Sequence, residues 1–175
     1  MVEKQPGDGS CLYHSLDFGV KALGLRSSGS FNLRQFLAAW VKRNGGVVFN
    51  GQSIQTWLQA ELGSSMTVAQ YAQRQSRVGW GGSLEILSFV LSKNMNVWIW
   101  VPIGRGRFRR TTCFQVQDRA SVGRIDLCLT NAVHYDYVQL NKTEIVSQMQ
   151  VKLKLKTKVS ELVCACLCRR HDAKQ

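Results

Sequence analysis

The sequence predicts an α+β domain, in which helices come first along the chain and strands follow. Apolar residues recur at helical spacing up to about residue 91, and from residue 96 onward short β-rich runs replace them. A chain of 175 residues is long enough for one compact domain with a hydrophobic core and short for two. Helices followed by strands are typical of an α+β domain built around one sheet.

Five helical segments are predicted before residue 95. The first follows Cys11, and the fourth covers residues 66–75. Polar residues suited to helix termini bound the others. Those predicted at N termini are Asn32, Ser53 and Ser83, and those predicted at C termini are Asn44 and Asn94. Each segment carries apolar residues on one face, which predicts that this face packs on a sheet.

Four strands are predicted after the last helix. Residues 96–101 form a continuous apolar run, which is typical of a strand in the middle of a sheet. Residues 111–116, 124–129 and 134–138 are the other three. The predicted domain covers residues 1–141.

Residues 142–175 are predicted to be a C-terminal extension or an edge of the same domain. Residues 151–159, VKLKLKTKV, alternate strictly and predict a half-buried strand with lysines on its open face. A basic tail with three cysteines follows: Cys164, Cys166 and Cys168. With His171 they would offer four zinc ligands, or they are acylated at a membrane, or the tail is unremarkable.

The composition narrows the function classes. The net charge of +12 suggests a polyanionic partner, and the arginines of residues 105–110 form one cluster, but no zinc-finger or RNA-recognition signature accompanies them. Nucleic acid is therefore an unlikely but possible partner through the basic surface.

No apolar run is long enough for a transmembrane helix, and no secretory signal is recognised. We expect a cytoplasmic protein with free thiols.

Cys11 is the first candidate for catalytic chemistry. It follows the turn-forming residues Pro6 to Ser10, where a helix is predicted to begin. A thiol at that point lies near the positive end of the helix dipole, which favours the thiolate, and nearby backbone N–H groups can stabilise an oxyanion. The alternative is a small buried hydrophobic residue, as most free cysteines are.

His134 and Asp136 are the second candidate pair. In a strand, positions i and i+2 point to the same face, so the imidazole and the carboxylate can form a hydrogen bond. Such a carboxylate orients a histidine base in a cysteine–histidine site. The alternative is a structural histidine, and the spacing from Cys11 does not itself predict contact.

Three segments together resemble the motifs of ovarian-tumour (OTU) cysteine proteases. Residues 6–16, PGDGSCLYHSL, resemble the nucleophile motif, and residues 80–85, WGGSLE, resemble the second block, a Trp-Gly pair before a helix carrying Glu. Residues 134–138, HYDYV, resemble the third block, a His-x-Asp strand. The three occur in the family's order and span about three-quarters of the chain.

The resemblance implies a papain-type fold with helices around a central, mostly antiparallel sheet. It implies that Cys11 is the nucleophile, His134 the general base and Asp136 its orienting group, and that Asp8 shapes the oxyanion loop. The residues expected to contact substrate are Gly9, Ser10, Trp80, Gly81 and Tyr135. For Trp80, packing in the core is an equal alternative, and His14 is expected to be structural. No metal or cofactor is implied.

The implied substrate is a conjugate of ubiquitin or a ubiquitin-like protein, cleaved after the modifier's C-terminal glycine. Members of this family commonly use acids to bind arginines of the ubiquitin tail, and the acids available here are Asp17, Glu61, Glu85, Asp118 and Asp126. The small domain resembles viral and bacterial-effector members, which would act in a host cytoplasm. The alternatives are a ubiquitin-binding pseudoenzyme and a basic nucleic-acid-binding module.

Overall fold

The structure is a computed structural model, and it describes residues 1–63, 65–117 and 119–139. In this part of the chain there are five helices and seven strands. The helices are α1 Cys11–Ala22, α2 Ser30–Arg43, α3 Ile54–Leu62, α4 Val68–Gln75 and α5 Ser83–Lys93. The strands are β1 Val2–Glu3, β2 Val48–Phe49, β3 Gln52–Ser53, β4 Asn96–Pro102, β5 Phe108–Phe114, β6 Arg124–Thr130 and β7 His134–Val138.

The main sheet has five strands in the order β1-β7-β6-β4-β5. Strands β4 and β6 are parallel, and the other three pairings are antiparallel. The predicted α+β class with a mostly antiparallel sheet is therefore confirmed. The strand over residues 96–102 lies between two neighbours, as its continuous apolar run predicts. Strands β2 and β3 form a separate small hairpin.

The hydrophobic core lies between one face of this sheet and the helices. Val97, Ile99, Ile125 and Leu127 alternate along β4 and β6 and are almost completely buried. Helix α1 packs closely on the sheet at Gly19, where a Cβ atom would lie 2.6 Å from Ile125 Cγ2. This close contact fixes the position of α1, and therefore of the residue that begins it, relative to the sheet.

Two predicted helix starts are displaced. Helix α2 begins at Ser30, so Asn32 lies within its first turn, and its side chain donates a hydrogen bond to the Ser28 carbonyl oxygen. Ser83 is the first residue of α5 rather than its N-cap, because the Glu85 carboxylate accepts the backbone N–H of Gly82. The caps at Ser53, Asn44 and Asn94 are confirmed: their residues flank α3, α2 and α5.

Strand boundaries also differ from the prediction. Strand β5 begins at Phe108 and includes two arginines of the basic cluster, whereas the sequence predicts a start at residue 111. The short strands β1, β2 and β3 are not predicted. The predictions for residues 142–175, including the strand, the cysteines and the domain boundary, lie outside the described residues. In the described ranges, no helix combines the length and the apolar character needed to cross a membrane.

Candidate active site

Asp8 holds the loop that precedes α1. Its Oδ1 accepts the backbone N–H of Ser10 at 2.8 Å, and its Oδ2 lies 3.0 Å from Nε2 of His14. The hydrogen bond with His14, followed by the one from Ser10, lowers the pKa of Asp8. Gly9, between the two bonded residues, has a φ of +80°, a conformation that favours glycine. The glycine and the aspartate of the motif are thus both needed for the shape of the loop.

Cys11 is the first residue of α1 and is partly exposed. No side chain caps this helix, although Ser10 occupies the N-cap position. The first-turn N–H groups of a helix have no acceptor within the helix. The sulfur therefore lies at the positive end of the dipole of α1, beside backbone donors that no side chain occupies. This arrangement suits a thiolate nucleophile and its oxyanion.

His134 and Asp136 form the expected pair on β7. Nε2 of His134 lies 3.0 Å from Oδ1 of Asp136, whose side chain is fully buried. Asp136 also accepts Lys4 Nζ at 2.8 Å and the backbone N–H of Gln5 at 2.9 Å. Burial acts to raise the pKa of Asp136, but these hydrogen bonds outweigh it and the pKa is lowered. The ionised carboxylate accepts a hydrogen bond from the Nε2–H group, which leaves Nδ1 of the imidazole for another partner.

Helix α1 lies alongside β7 and runs in the same direction. The Ser15 hydroxyl donates to the Tyr135 carbonyl oxygen at 3.0 Å, and one turn further on the rings of Phe18 and Tyr137 are 5.0 Å apart. Cys11 precedes Ser15 by four residues, which is about one helical turn, or about 6 Å. On β7, His134 precedes Tyr135 by one residue. Cys11 and His134 therefore lie at the same end of this helix–strand pair.

The Trp80 side chain lies next to residues 6–10, the loop before the candidate nucleophile Cys11, which we call the nucleophile loop. It is 66% exposed, so packing in the core, the alternative for this residue, is wrong. A Cβ atom on Gly9 would lie 3.6 Å from Trp80 Cδ1 and Nε1, which places the indole edge against that glycine. The next residue, Gly81, packs against α1, since its Cβ would lie 2.5 Å from Leu12 Cδ2. The second motif thus adjoins the first.

Tyr135 differs from the other predicted site residues in its location. The alternation along β7 places it on the opposite face from its neighbours His134 and Asp136, and it packs, partly buried, against the hydrophobic core. Its backbone carbonyl holds α1, as described above. Packing against the core therefore fixes the position of the Tyr135 side chain, and its contact with substrate stays a prediction.

Sequence reasoning missed two residues that organise the site. Lys4 reaches Asp136 because β1 pairs with β7, with Val2 opposite Val138. A two-residue strand leaves no recognisable pattern in the sequence. Arg34 is buried in α2 and donates to the nucleophile loop. For Arg34 a signal existed, since it shares the buried face of α2 with apolar residues three, four and seven positions further on.

Most of the acids considered for substrate binding have internal roles. Asp17 accepts hydrogen bonds from Ser27 and the Gly29 backbone and pairs with Lys21. Asp126 accepts Trp100 Nε1 at 2.7 Å and pairs with Arg124. Glu85 caps α5, and Asp118 lies outside the described residues. Glu61 lies beside the second motif, because a Cβ on Gly82 would be 3.2 Å from its Oε1.

The predicted arginine cluster lies around the turn between β4 and β5. Arg105 is in the turn, with a φ of +52°. Arg110 stacks over the Trp98 ring, 4.3 Å from its centre, and Arg124 lies over the same ring at 4.2 Å. Part of the cluster therefore contributes to packing around an aromatic side chain.

Solved structures resemble this one. No protein-family model and no curated protein matches the chain. The OTU domain of OTUD1 superposes with a TM-score of 0.59 at 16% identity, over 79% of this chain and 85% of that one. The Hazara virus OTU, solved bound to ubiquitin, gives 0.59 at 22% identity, over 81% of each chain.

The chain has the OTU fold. An OTU deubiquitinase from Wolbachia pipientis wMel, also solved bound to ubiquitin, superposes with a TM-score of 0.53 at 14% identity, over 79% of this chain and 94% of that one. Identities this low establish the fold alone. The three OTU motifs of the sequence lie together at one site of this fold: the loop before α1, the segment before α5 and the start of β7.

Proposed function

We propose that this protein is a cysteine protease that hydrolyses the isopeptide bond after the C-terminal glycine of ubiquitin or of a ubiquitin-like modifier. One observation carries the proposal. On an OTU fold, Cys11 begins α1 at the same end of the α1–β7 pair as His134, and Asp136 orients that histidine at 3.0 Å. The ubiquitin-bound OTU structures that resemble this chain support ubiquitin as the partner.

The geometry suits acyl transfer in two steps. The Cys11 thiolate attacks the glycine carbonyl carbon, and the backbone N–H groups at the start of α1 stabilise the oxyanion. The imidazolium of His134 then gives its proton to the leaving lysine amine as the C–N bond breaks, which leaves a thioester on the sulfur. His134 next takes a proton from water, whose oxygen attacks the thioester and releases the modifier's carboxylate and the thiol.

The exposed Trp80 supports recognition of a slender C-terminal tail. Its indole edge lies against Gly9, close to Cys11, so a substrate chain that reaches the start of α1 would pass the exposed ring, which would form one wall beside it. Two consecutive glycines have no side chains to collide with such a wall. Glu61, beside Gly82, is the acid best placed to attract a basic residue further along the tail.

Hydrolysis of a ubiquitin–fluorophore conjugate tests this proposal. We expect turnover by the wild type and none by Cys11→Ala, with the circular dichroism spectra of the two superimposable. A panel of ubiquitin-like conjugates assayed in parallel identifies the preferred modifier. Binding without turnover by the folded wild type would contradict the proposal and favour a pseudoenzyme.

A further inference from the structure

Arg34 is a buried cation with an unusual set of partners. It is 6% exposed. Nη1 donates to the carbonyl oxygens of Gln75, at 3.2 Å, and Gly79, at 2.8 Å. Nη2 donates to the Gly9 carbonyl oxygen at 3.1 Å and to Ser10 Oγ at 3.0 Å. In the part of the chain that the structure describes, no carboxylate pairs with it.

These contacts join the nucleophile loop to residues 76–82, the segment between α4 and α5 that carries Trp80 and that we call the Trp80 segment. One nitrogen of the guanidinium holds the nucleophile loop, and the other holds the end of α4 and the residue before Trp80. The guanidinium also lies over the Tyr13 ring, 4.1 Å from its centre. Gln75 adds a parallel link, because its Nε2 donates to the Tyr13 hydroxyl at 2.9 Å and to the Trp80 carbonyl oxygen at 3.0 Å.

The contact with Ser10 has a consequence for the start of α1. A serine at the N-cap position ordinarily accepts an N–H of the first helical turn. Here the Ser10 hydroxyl accepts from Arg34, and no side chain caps the helix. The first-turn donors of α1 therefore stay available next to the sulfur.

A purely structural role would be met at lower cost by an apolar side chain. Burying a charge without an opposite charge is unfavourable, and a residue such as methionine would fill the same space on the buried face of α2. The planar fork of arginine, however, can hold acceptors on two segments at once, which lysine and methionine cannot. The arrangement of the acceptors therefore indicates that Arg34 orders the two loop segments rather than filling space in the core.

We propose that Arg34 is a positioning residue of the active site: it sets the nucleophile loop and the Trp80 segment relative to each other and keeps the oxyanion donors of α1 open. This inference rests on the proposed protease function. It adds that the nucleophile loop and the Trp80 segment are both ordered by the Arg34 side chain, so that both loosen together when Arg34 is changed.

The first test compares Arg34→Lys with Arg43→Lys, a matched change of an exposed arginine at the end of the same helix. With a ubiquitin–fluorophore substrate, we expect kcat of Arg34→Lys to fall about 10- to 100-fold while KM changes less than about twofold, because donors to the oxyanion act in the transition state. Arg43→Lys should match the wild type. An unchanged kcat for Arg34→Lys overturns the proposal.

A second measurement separates positioning from a general loss of stability. Alkylation of Cys11 by iodoacetamide, followed on its peptide by mass spectrometry, does not require the oxyanion donors, so its rate should stay within about twofold in Arg34→Lys. A parallel loss of alkylation and hydrolysis would indicate damage to the nucleophile itself and would overturn the proposal.

Amide hydrogen exchange tests the proposal without any activity. In Arg34→Lys we expect faster exchange in residues 8–13 and 78–83 together, with β4 and β6 unchanged. Faster exchange everywhere, in only one segment, or in neither would contradict the joint positioning. If the wild type itself hydrolyses neither ubiquitin nor ubiquitin-like conjugates, the proposed function is lost, while this exchange result still decides whether Arg34 orders both segments.

Discussion

Asp136 receives donors from both ends of the described chain. Two come from the N-terminal residues Lys4 and Gln5, and the third is the ring of His134. The side chain is completely buried, so these donors replace the water that an exposed carboxylate would bind. Orientation of His134 therefore depends on the pairing of β1 with β7, which brings Lys4 and Gln5 to Asp136.

Asp136→Asn should reduce kcat on the order of 100-fold or more. An amide cannot both accept from Nε2 and stabilise the imidazolium, so the base loses its orientation and its charge partner. The matched control is Asp126→Asn, a buried carboxylate on the adjacent strand that pairs with Arg124. The control should keep kcat, measured by steady-state hydrolysis. Equal kcat for the two variants would contradict the role of Asp136.

The pH dependence of Asp136 follows from its lowered pKa. The native carboxylate holds its proton less tightly than the unfolded one, so its contribution to stability is fully present above the unfolded pKa. That contribution is lost as the pH falls through the lower, folded pKa. In urea titrations the wild type should therefore lose more stability than Asp136→Asn on acidification below about pH 4. Parallel acid profiles would show that the carboxylate is not held as described.

At the scale of elements, the N-terminus of α5 carries a buried carboxylate. Glu85 accepts the backbone N–H of Gly82 at 2.7 Å and the hydroxyl of Tyr71. Burial raises the pKa of Glu85 to about 7, in spite of these hydrogen bonds. The side chain thus ties α4 to the segment that carries Trp80.

Glu85→Gln should flatten the dependence of stability on pH. A carboxyl group with a raised folded pKa stabilises the protein most below its unfolded pKa of about 4.5, and this contribution is lost as the pH rises through about 7. Between these limits the wild type should lose on the order of 3 kcal/mol relative to the variant, because one pKa unit corresponds to about 1.4 kcal/mol. Gln keeps an acceptor for Gly82 and a donor for the Tyr71 oxygen.

Urea unfolding at pH 5 and pH 8 measures this difference. Glu3→Gln is the control, since Glu3 is exposed on β1 and its change should leave the pH profile as in the wild type. If Glu85→Gln follows the same profile as the wild type, Glu85 does not retain a proton in the folded protein.

The close contact between the Trp80 segment and α1 gives another prediction. In Gly81→Ala the new Cβ would lie 2.5 Å from Leu12 Cδ2, so the segment or the helix must move. We expect a loss of about 1–3 kcal/mol in the free energy of unfolding, together with a lower kcat because the segment that carries Trp80 shifts. Gly7→Ala, whose Cβ would meet nothing within 4 Å, should have little effect on stability. Equal midpoints in urea would contradict this packing.

At the scale of the whole molecule, local patterns predicted most of the elements. Helix α5 and strand β4 have strong periodicity, and both were predicted almost to the residue. Strand β1 escaped prediction because its two residues become a strand only by pairing with β7, far along the chain. The start of α5 was displaced by one residue for a local reason, because the Glu85 side chain, not that of Ser83, satisfies the Gly82 N–H group.

The candidate catalytic residues were predicted through motifs, and the residues that hold them in place were not. Motif resemblance singled out Cys11 and His134 as candidates, but their placement at the same end of the α1–β7 pair depends on how α1 packs along β7, which no local spacing encodes. Arg34 was overlooked although its position on the apolar face of α2 marks it as a buried charge. Long-range contacts of this kind, formed by Arg34 and Lys4, are set by tertiary packing and were available only from the structure.

The central claim is that Cys11 attacks the C-terminal carbonyl of a ubiquitin-type modifier. The most direct measurement is covalent capture by a ubiquitin probe with a C-terminal electrophile, using the wild type, Cys11→Ala and Cys113→Ala, which removes another exposed thiol. We predict a shifted band for the wild type and Cys113→Ala, none for Cys11→Ala, and the adduct on the Cys11 peptide by mass spectrometry. No adduct in the folded wild type with ubiquitin or ubiquitin-like probes, or an adduct on another cysteine, would contradict the account.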